Sequence, residues 1–368
     1  MLGVTITLNI DYGQHTKMKK TDWARHSKAR FDALLGERID TIDMHTAGEP
    51  LRIVIGAPFL PQGADILAKR RYAQTSGWDR LRRVLMFEPR GHQDMYGAII
   101  VPPVTKEAAF GVLFTHNEGF STMCGHAIIA LGKAAVELEW VKAVEPETTV
   151  LIDTPAGLVT AHARVANGHV QSTWFENVPS FVVALDKTAT VAGIGTVTYD
   201  LSYGGAYYAF VDAGSIGLAL QPDNGRQIAA LGMAIKQAVM ESHPIRHPES
   251  DDLSFLYGTI FTGPATGKDA HSRHACVFAD GAVDRSPTGT GVSARMALLY
   301  ARDPEACGRS FQIESLTAES FTGRISRTLD YYGLPAVIPE VEGTAYFTGR
   351  HTFLLDHGDA LADGFLIR

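Results

Sequence analysis

From Ile42 onward, apolar and polar positions fall into one pattern written twice. The first pass opens with IDMHTAGEPLRIVIGA at 42–57 and the second with YDLSYGGAYYAFVDA at 199–213; setting Asp43 on Asp200 also sets Gly48 on Gly205. Each opening reads as a strand, a glycine turn and a strand. Amphipathic stretches follow, at 64–74 and 79–87 in the first pass and at 226–240 in the second, with the period of helices. Each pass then reaches a short glycine-containing motif that starts an apolar helix: STMCGHAIIALGKAAVEL at 121–138 and SPTGTGVSARMALLYA at 286–301. Strand pairs close each pass, at 151–165 with 169–178 and at 311–325 with 343–355. The repeated order of elements predicts an internal duplication.

The two motif helices have almost no polar face. Ala127, Ile128, Ile129, Leu131, Ala134, Val136 and Leu138 run round one, and Val292, Ala294, Met296, Leu298 and Leu299 round the other. A helix apolar on all sides is buried on all sides. The predicted fold is therefore α/β (α+β), with two pseudo-symmetric halves, each a curled, mostly antiparallel sheet around a central helix. The expected division is an N-terminal extension at 1–38, a first half at 39–190 and a second half at 191–368, with the C-terminal strands able to return to the first half. The extension carries KMKK at 17–20 and little apolar periodicity.

A buried helix still has unpaired N–H groups at its start, which favour an anionic partner. If a pseudo-twofold axis sets the two starts face to face, the N–H groups of Gly125 and His126 and those of Gly289 and Thr290 can cradle one carboxylate, with glycine allowing close approach. Directly before these donors stand Cys124 and Thr288. A thiol at a helix start is expected to have a lowered pKa and to serve as a base once ionised. For His126 the backbone role is favoured over acid–base work by the ring. Asp284 lies four residues before Thr288, where it suits the ammonium group of an amino acid. Cys276, in HACVFAD, and Cys307 read as reduced thiols without a catalytic task.

Composition narrows the partners. The 368 residues hold 33 basic and 40 acidic side chains, a formal charge of −7, with 45% hydrophobic positions. That suits an ordinary packed core and argues against nucleic acid, which needs a basic excess. No apolar run reaches the roughly 20 residues of a membrane span. MLGVTITLNID lacks the features of a signal peptide, and three cysteines are too few for a disulfide framework. These features predict a cytoplasmic protein acting on a small molecule.

EPRGHQDMYGAIIVPP (88–103), NEGFSTMCGHA (117–127), GGAYYAFVDA (204–213) and DRSPTGTG (284–291) resemble the signature segments of the proline racemase family, and the likeness runs from about residue 40 to the C-terminus. The resemblance implies the diaminopimelate epimerase-like fold and a cofactor-independent reaction, with no metal, on an imino acid. In that family two cysteines face each other across the substrate α-carbon. This chain keeps Cys124 and has Thr288 in the place of the second, a pair that resembles the trans-3-hydroxy-L-proline dehydratase branch. The resemblance further implies Gly125, His126, Gly289 and Thr290 around the carboxylate, Asp284 near the ring nitrogen, and Tyr96 and Phe278 as aromatic walls, Tyr96 standing where racemases can carry phenylalanine. A homodimer is expected on the same ground. The alternatives are a proline racemase or 4-hydroxyproline epimerase, with Cys276 or Cys307 supplying a second thiol, and a non-catalytic amino-acid-binding protein. His116, Cys124 and His126 are metal-ligand types, but their spacing matches none of the familiar zinc patterns.

Overall fold

The computed structural model describes residues 23–34, 36–57, 61–75, 77, 79–249 and 251–367. Most of the expected extension lies outside the described residues. Its last part forms helix α1 (Trp23–Asp32), whose closing carbonyls at Phe31 and Asp32, with that of Leu34 just beyond, accept hydrogen bonds from Arg38.

The duplication is visible strand by strand. In the first half, β1 (Glu37–Thr46) pairs antiparallel with β2 (Glu49–Gly56). β2 runs parallel to β3 (Tyr96–Val101), which pairs antiparallel with β4 (Phe110–His116). A two-residue strand, β5 (Phe120–Ser121), leads into helix α4 (Gly125–Glu137). β4 then lies parallel to β6 (Glu147–Thr154), followed by the antiparallel strands β7 (Gly157–Ala166) and β8 (His169–Glu176). Helices α2 (Ile66–Thr75) and α3 (Asp79–Met86) cover the outer face.

The second half repeats this grammar. β10 (Gly195–Tyr203) pairs with β11 (Tyr207–Asp212), β11 runs parallel to β12 (Leu256–Gly263), and β12 pairs with β13 (Ser272–Phe278). β14 (Ala282–Val283) precedes helix α6 (Gly289–Arg302), β13 lies parallel to β15 (Ser310–Glu314), and β16 (Ser320–Tyr331) and β17 (Leu334–Gly343) follow antiparallel. Helix α5 (Gly225–Ser242) covers the outside, where Gly232 leaves room for Val277. Two strands exchange partners: β9 (Ser180–Val191) leaves the first half to pair with β10, and β18 (Ala345–Leu355) returns to pair with β1. The buried Asp43–Arg52 ion pair, 2.8 Å, fastens this return, with the Arg52 guanidinium lying 4.5 Å over the Phe353 ring of β18.

The structure differs from the sequence reading in the closing strands. The stretches 151–165 and 311–325 each break into two strands at a turn. The partner of β16 is β17, while 345–355 pairs with β1. β17 was hidden by Pro335 and Pro339, which withhold N–H donors. In the structure β17 is nonetheless paired with β8 at 340–343 and with β9 at 336–337, clear of both prolines on that side.

α4 and α6 are the centres of the two curled sheets, and they meet at their first residues. A β-carbon on Gly125 would lie 2.7 Å from the Gly289 α-carbon, and one on Gly289 would lie 2.7 Å from that of Gly125. Only two glycines allow this approach. Gly289→Ala therefore forces the helix starts apart and is expected to cost about 1–3 kcal/mol of stability by overpacking, visible as a lowered melting temperature with unchanged secondary structure; an unchanged melting temperature contradicts the contact.

Candidate active site

The meeting of the helix starts forms the floor of a cleft of about 280 Å³. All nine residues singled out from the sequence line it: Tyr96, Cys124, Gly125, His126, Phe278, Asp284, Thr288, Gly289 and Thr290. Cys124 caps α4 and Thr288 caps α6, and neither side chain is spent on the cap hydrogen bond. The N–H groups of a helix's first turn have no intrahelical acceptor, so two sets of donors face one space.

The two caps are equivalent in sequence and different in chemistry. Cys124 has extended backbone, with φ −151°, whereas Thr288 is held at φ +67°, an unfavourable region for a β-branched residue. The loop before α6 maintains it. The Thr288 N–H donates to Ser286 Oγ at 3.1 Å, its hydroxyl donates to Asp284 Oδ2 at 2.7 Å, and the Ser286 N–H donates to Asp284 Oδ1 at 2.7 Å. The Thr288 proton is thus committed to Asp284. On the other wall Tyr208 shares a 2.7 Å hydrogen bond with Thr290, and Tyr257 stacks on Phe278 at 5.5 Å between ring centroids.

Cys124 departs from the sequence expectation. Burial pushes its thiol well above the ordinary value; the Ala127 N–H and the Tyr96 hydroxyl pull the other way, and the negative charge of Asp284 adds to the rise. The helix start alone does not ionise the sulfur, because the sulfur is buried and faces the Asp284 carboxylate. His126 also departs: its Nδ1 lies 3.2 Å from the Cys124 sulfur, so its ring as well as its backbone faces the site. Burial lowers the imidazole's pKa, against the opposing pull of Asp284 and of a hydrogen bond to the Pro50 carbonyl. The resting pair is therefore a neutral thiol beside a neutral imidazole.

Several cleft residues were not expected as substrate contacts, His116 having been noted only as a metal-ligand type. His116, at the end of β4, is pulled down to about 4 by burial and by the nearby Arg82 and Arg70, and is neutral at pH 7. Lys236 reaches the rim from α5 and donates to the Ala279 carbonyl at 3.2 Å. Tyr208 and Tyr257, also in the lining, were not singled out from the sequence. Cys276 is fully buried on β13 behind the cleft wall; its carbonyl accepts the Asp284 N–H at 2.9 Å, and its sulfur neighbours the Thr288 hydroxyl. Cys307 is exposed, away from the cleft lining.

This architecture and cleft define the class: residues 41–366 match the proline racemase family, to which the chain belongs. Among its relatives, the trans-3-hydroxy-L-proline dehydratase of Colwellia psychrerythraea is 48% identical over 90% of this chain and 93% of its own. The 3-hydroxyproline 2-epimerase of Burkholderia multivorans is 42% identical over 91% of this chain and 99% of its own. Among solved structures, a hydroxyproline epimerase from Agrobacterium vitis with bound trans-4-hydroxy-L-proline superposes with a TM-score of 0.83 at 31% identity, covering 90% of this chain and 96% of that one. No helix among the described residues is long and apolar enough to cross a membrane.

Glu49 was not anticipated. It starts β2, is wholly buried, accepts the Arg285 N–H at 2.7 Å on Oε2, and its Oε1 has no hydrogen-bond partner among the described residues. Burial first, and Asp284 second, raise its pKa well above the usual carboxyl range, so it is a neutral acid in the folded protein. The unfolded chain gives up that proton near pH 4.3, so stability falls as pH rises above this value. Glu49→Gln keeps a carbonyl for Arg285 and removes the titration. The melting temperature of the variant relative to wild type is expected to rise between about pH 5 and pH 8; a flat or falling difference contradicts a neutral Glu49.

Proposed function

We propose that the protein is a trans-3-hydroxy-L-proline dehydratase. The observation that carries this reading is the unequal pair of helix caps, a thiol at Cys124 against an alcohol at Thr288 whose proton is already given to Asp284. The name of the Colwellia relative supports it. Epimerisation requires a proton donor on the face opposite the base, and an aliphatic hydroxyl is a poor one. This is the ground for preferring dehydration to the activity named for the Burkholderia relative.

In this mechanism the substrate carboxylate lies on the N–H groups of Gly125, His126, Gly289 and Thr290, and the ring nitrogen lies near Asp284. The incoming ammonium neutralises the Asp284 charge that helps hold the Cys124 thiol protonated, and the thiol proton passes to His126 Nδ1, 3.2 Å away. The thiolate removes the α-proton while the helix starts stabilise the charge growing on the carboxylate. Loss of the 3-hydroxyl as water leaves an enamine, which tautomerises to Δ1-pyrroline-2-carboxylate. Carboxylate and hydroxyl are trans in this substrate, so the α-hydrogen and the hydroxyl share a ring face and the elimination is syn. Tyr96 and Phe278 enclose the ring, and Thr288 orients it from the far side. We further read the chain as two halves; the pairing of β9 with β10 and β17 favours a division before Ser180 over one near residue 190, and the pairing of β18 with β1 supports the return of the C-terminal strands to the first half.

Wild-type protein is expected to convert trans-3-hydroxy-L-proline to a product detected as an imine, and to leave L-proline unracemised. Cys124→Ser should lower this turnover by about 10²–10⁴-fold, the usual weight of a general base, at an unchanged melting temperature. Near wild-type turnover in the serine variant removes Cys124 from the mechanism, and efficient interconversion of L- and D-proline by wild type removes the dehydratase reading.

A further inference from the structure

A syn elimination places base and acid on one face of the ring, and the dehydratase reading leaves the acid unassigned. We propose that the phenol of Tyr96 protonates the departing 3-hydroxyl, and that the Cys124 thiol then returns a proton to Tyr96. The inference rests on the dehydratase reading and deepens it.

Tyr96 is the first residue of β3 and lines the cleft with 3% of its surface exposed. Its hydroxyl is a junction: it hydrogen-bonds Ser121 Oγ and interacts with both the Cys124 sulfur and the Tyr257 hydroxyl. An acid in touch with the base is on the base's face, which is the face that carries the leaving group of trans-3-hydroxy-L-proline. The other candidates are occupied. Thr288 caps the opposite helix and donates to Asp284. His126 meets Tyr96 edge-on at 4.8 Å between ring centroids; the proton that its Nδ1 takes from the thiol faces the Cys124 sulfur and its other edge meets the Pro50 carbonyl, so that proton stays paired with the thiolate. Burial above all keeps the Tyr96 phenol protonated at neutral pH. A phenol is by nature a far stronger acid than water, whose pKa is about 15.7, and the burial that holds its proton also strengthens a departing hydroxide as a base.

The protons balance. The bond from the α-carbon to hydrogen breaks and its proton goes to the Cys124 sulfur, while the electron pair forms the new carbon–carbon double bond. The bond from C3 to oxygen breaks, and the oxygen leaves with the Tyr96 proton as water. The thiol proton crosses to the Tyr96 oxygen. Thiolate and phenol are both restored without an outside donor. Ser121, hydrogen-bonded to the same oxygen, holds the phenol in place between transfers.

Tyr96→Phe removes only the hydroxyl, and the test compares two leaving groups. Hydroxide needs a proton to leave; fluoride does not. With trans-3-hydroxy-L-proline the variant should lose about 10²–10⁴-fold in kcat, the usual weight of a general acid. Fluoride release from trans-3-fluoro-L-proline loses only the hydroxyl's support of the thiolate and should fall far less than water loss does, which also reports that the variant is folded and that Cys124 still acts. A parallel loss with both substrates, or water loss within a few-fold of wild type, overturns the proposal. A wild-type protein that releases fluoride but no water overturns the dehydratase reading itself, and this inference with it.

Discussion

Two glycines in contact hold this structure's chemistry together. Gly125 and Gly289 stand where the central helices of two curled sheets touch, each so close that a β-carbon on one would meet the α-carbon of the other at 2.7 Å. Because the helices meet end to end, their unpaired N–H groups point into one space, and the residues that cap them face each other across it. Every other feature of the cleft is arranged around this junction. Strands anchor the helix starts from behind: the Thr46 hydroxyl donates to the His126 carbonyl at 2.9 Å, and Asn177 donates to the Gly204 carbonyl and to Ser293 Oγ at 2.7 and 2.8 Å. The sheets fix the helices, the helices fix the caps, and the caps face each other across the cleft.

Symmetry supplies the cleft, and departure from symmetry supplies its direction. Cys124 sits in relaxed, extended backbone with a polarisable sulfur beside an imidazole and a phenol. Thr288 sits in a left-handed conformation costing of order 1–3 kcal/mol for such a residue, held by hydrogen bonds to Asp284 and Ser286. One side of the cleft is equipped to move protons, and the other to hold shape and charge. The neutral Glu49 belongs to the second task, joining β2 of the first half to the Arg285 N–H beside Asp284 in the second.

Much of this was legible in the sequence because it depends on local rules. Two helices apolar on all sides require enclosure, and the glycines after Cys124 and Thr288 mark where their starts come close; both inferences need only composition and period. Cys124, Gly125, His126, Asp284, Thr288, Gly289 and Thr290 could be listed for the same reason, since they cluster in two motifs, whereas Tyr96 and Phe278 came from the family resemblance. What stayed hidden depends on distance in sequence. Glu49 looks like an ordinary strand-end acid until Arg285 and Asp284 are folded against it. Tyr208 and Tyr257 gain meaning only when β11 and β12 lie side by side. The Cys124 thiol was expected to be acidic from its helix position, but burial outweighs the helix start, and burial is a property of the whole fold. β17 was obscured by prolines whose missing donors do no harm in the register that forms.

The central claim is that only one face of the bound ring can exchange its α-proton. The most direct measurement follows trans-3-hydroxy-L-proline by proton NMR in D2O with the wild-type protein, recording imine formation and the configuration at C2 of the remaining substrate together. The account predicts that imine accumulates while the residual substrate keeps its original configuration throughout. Appearance of the C2 epimer at a rate comparable to that of the imine would show a working proton donor opposite Cys124 and contradict it.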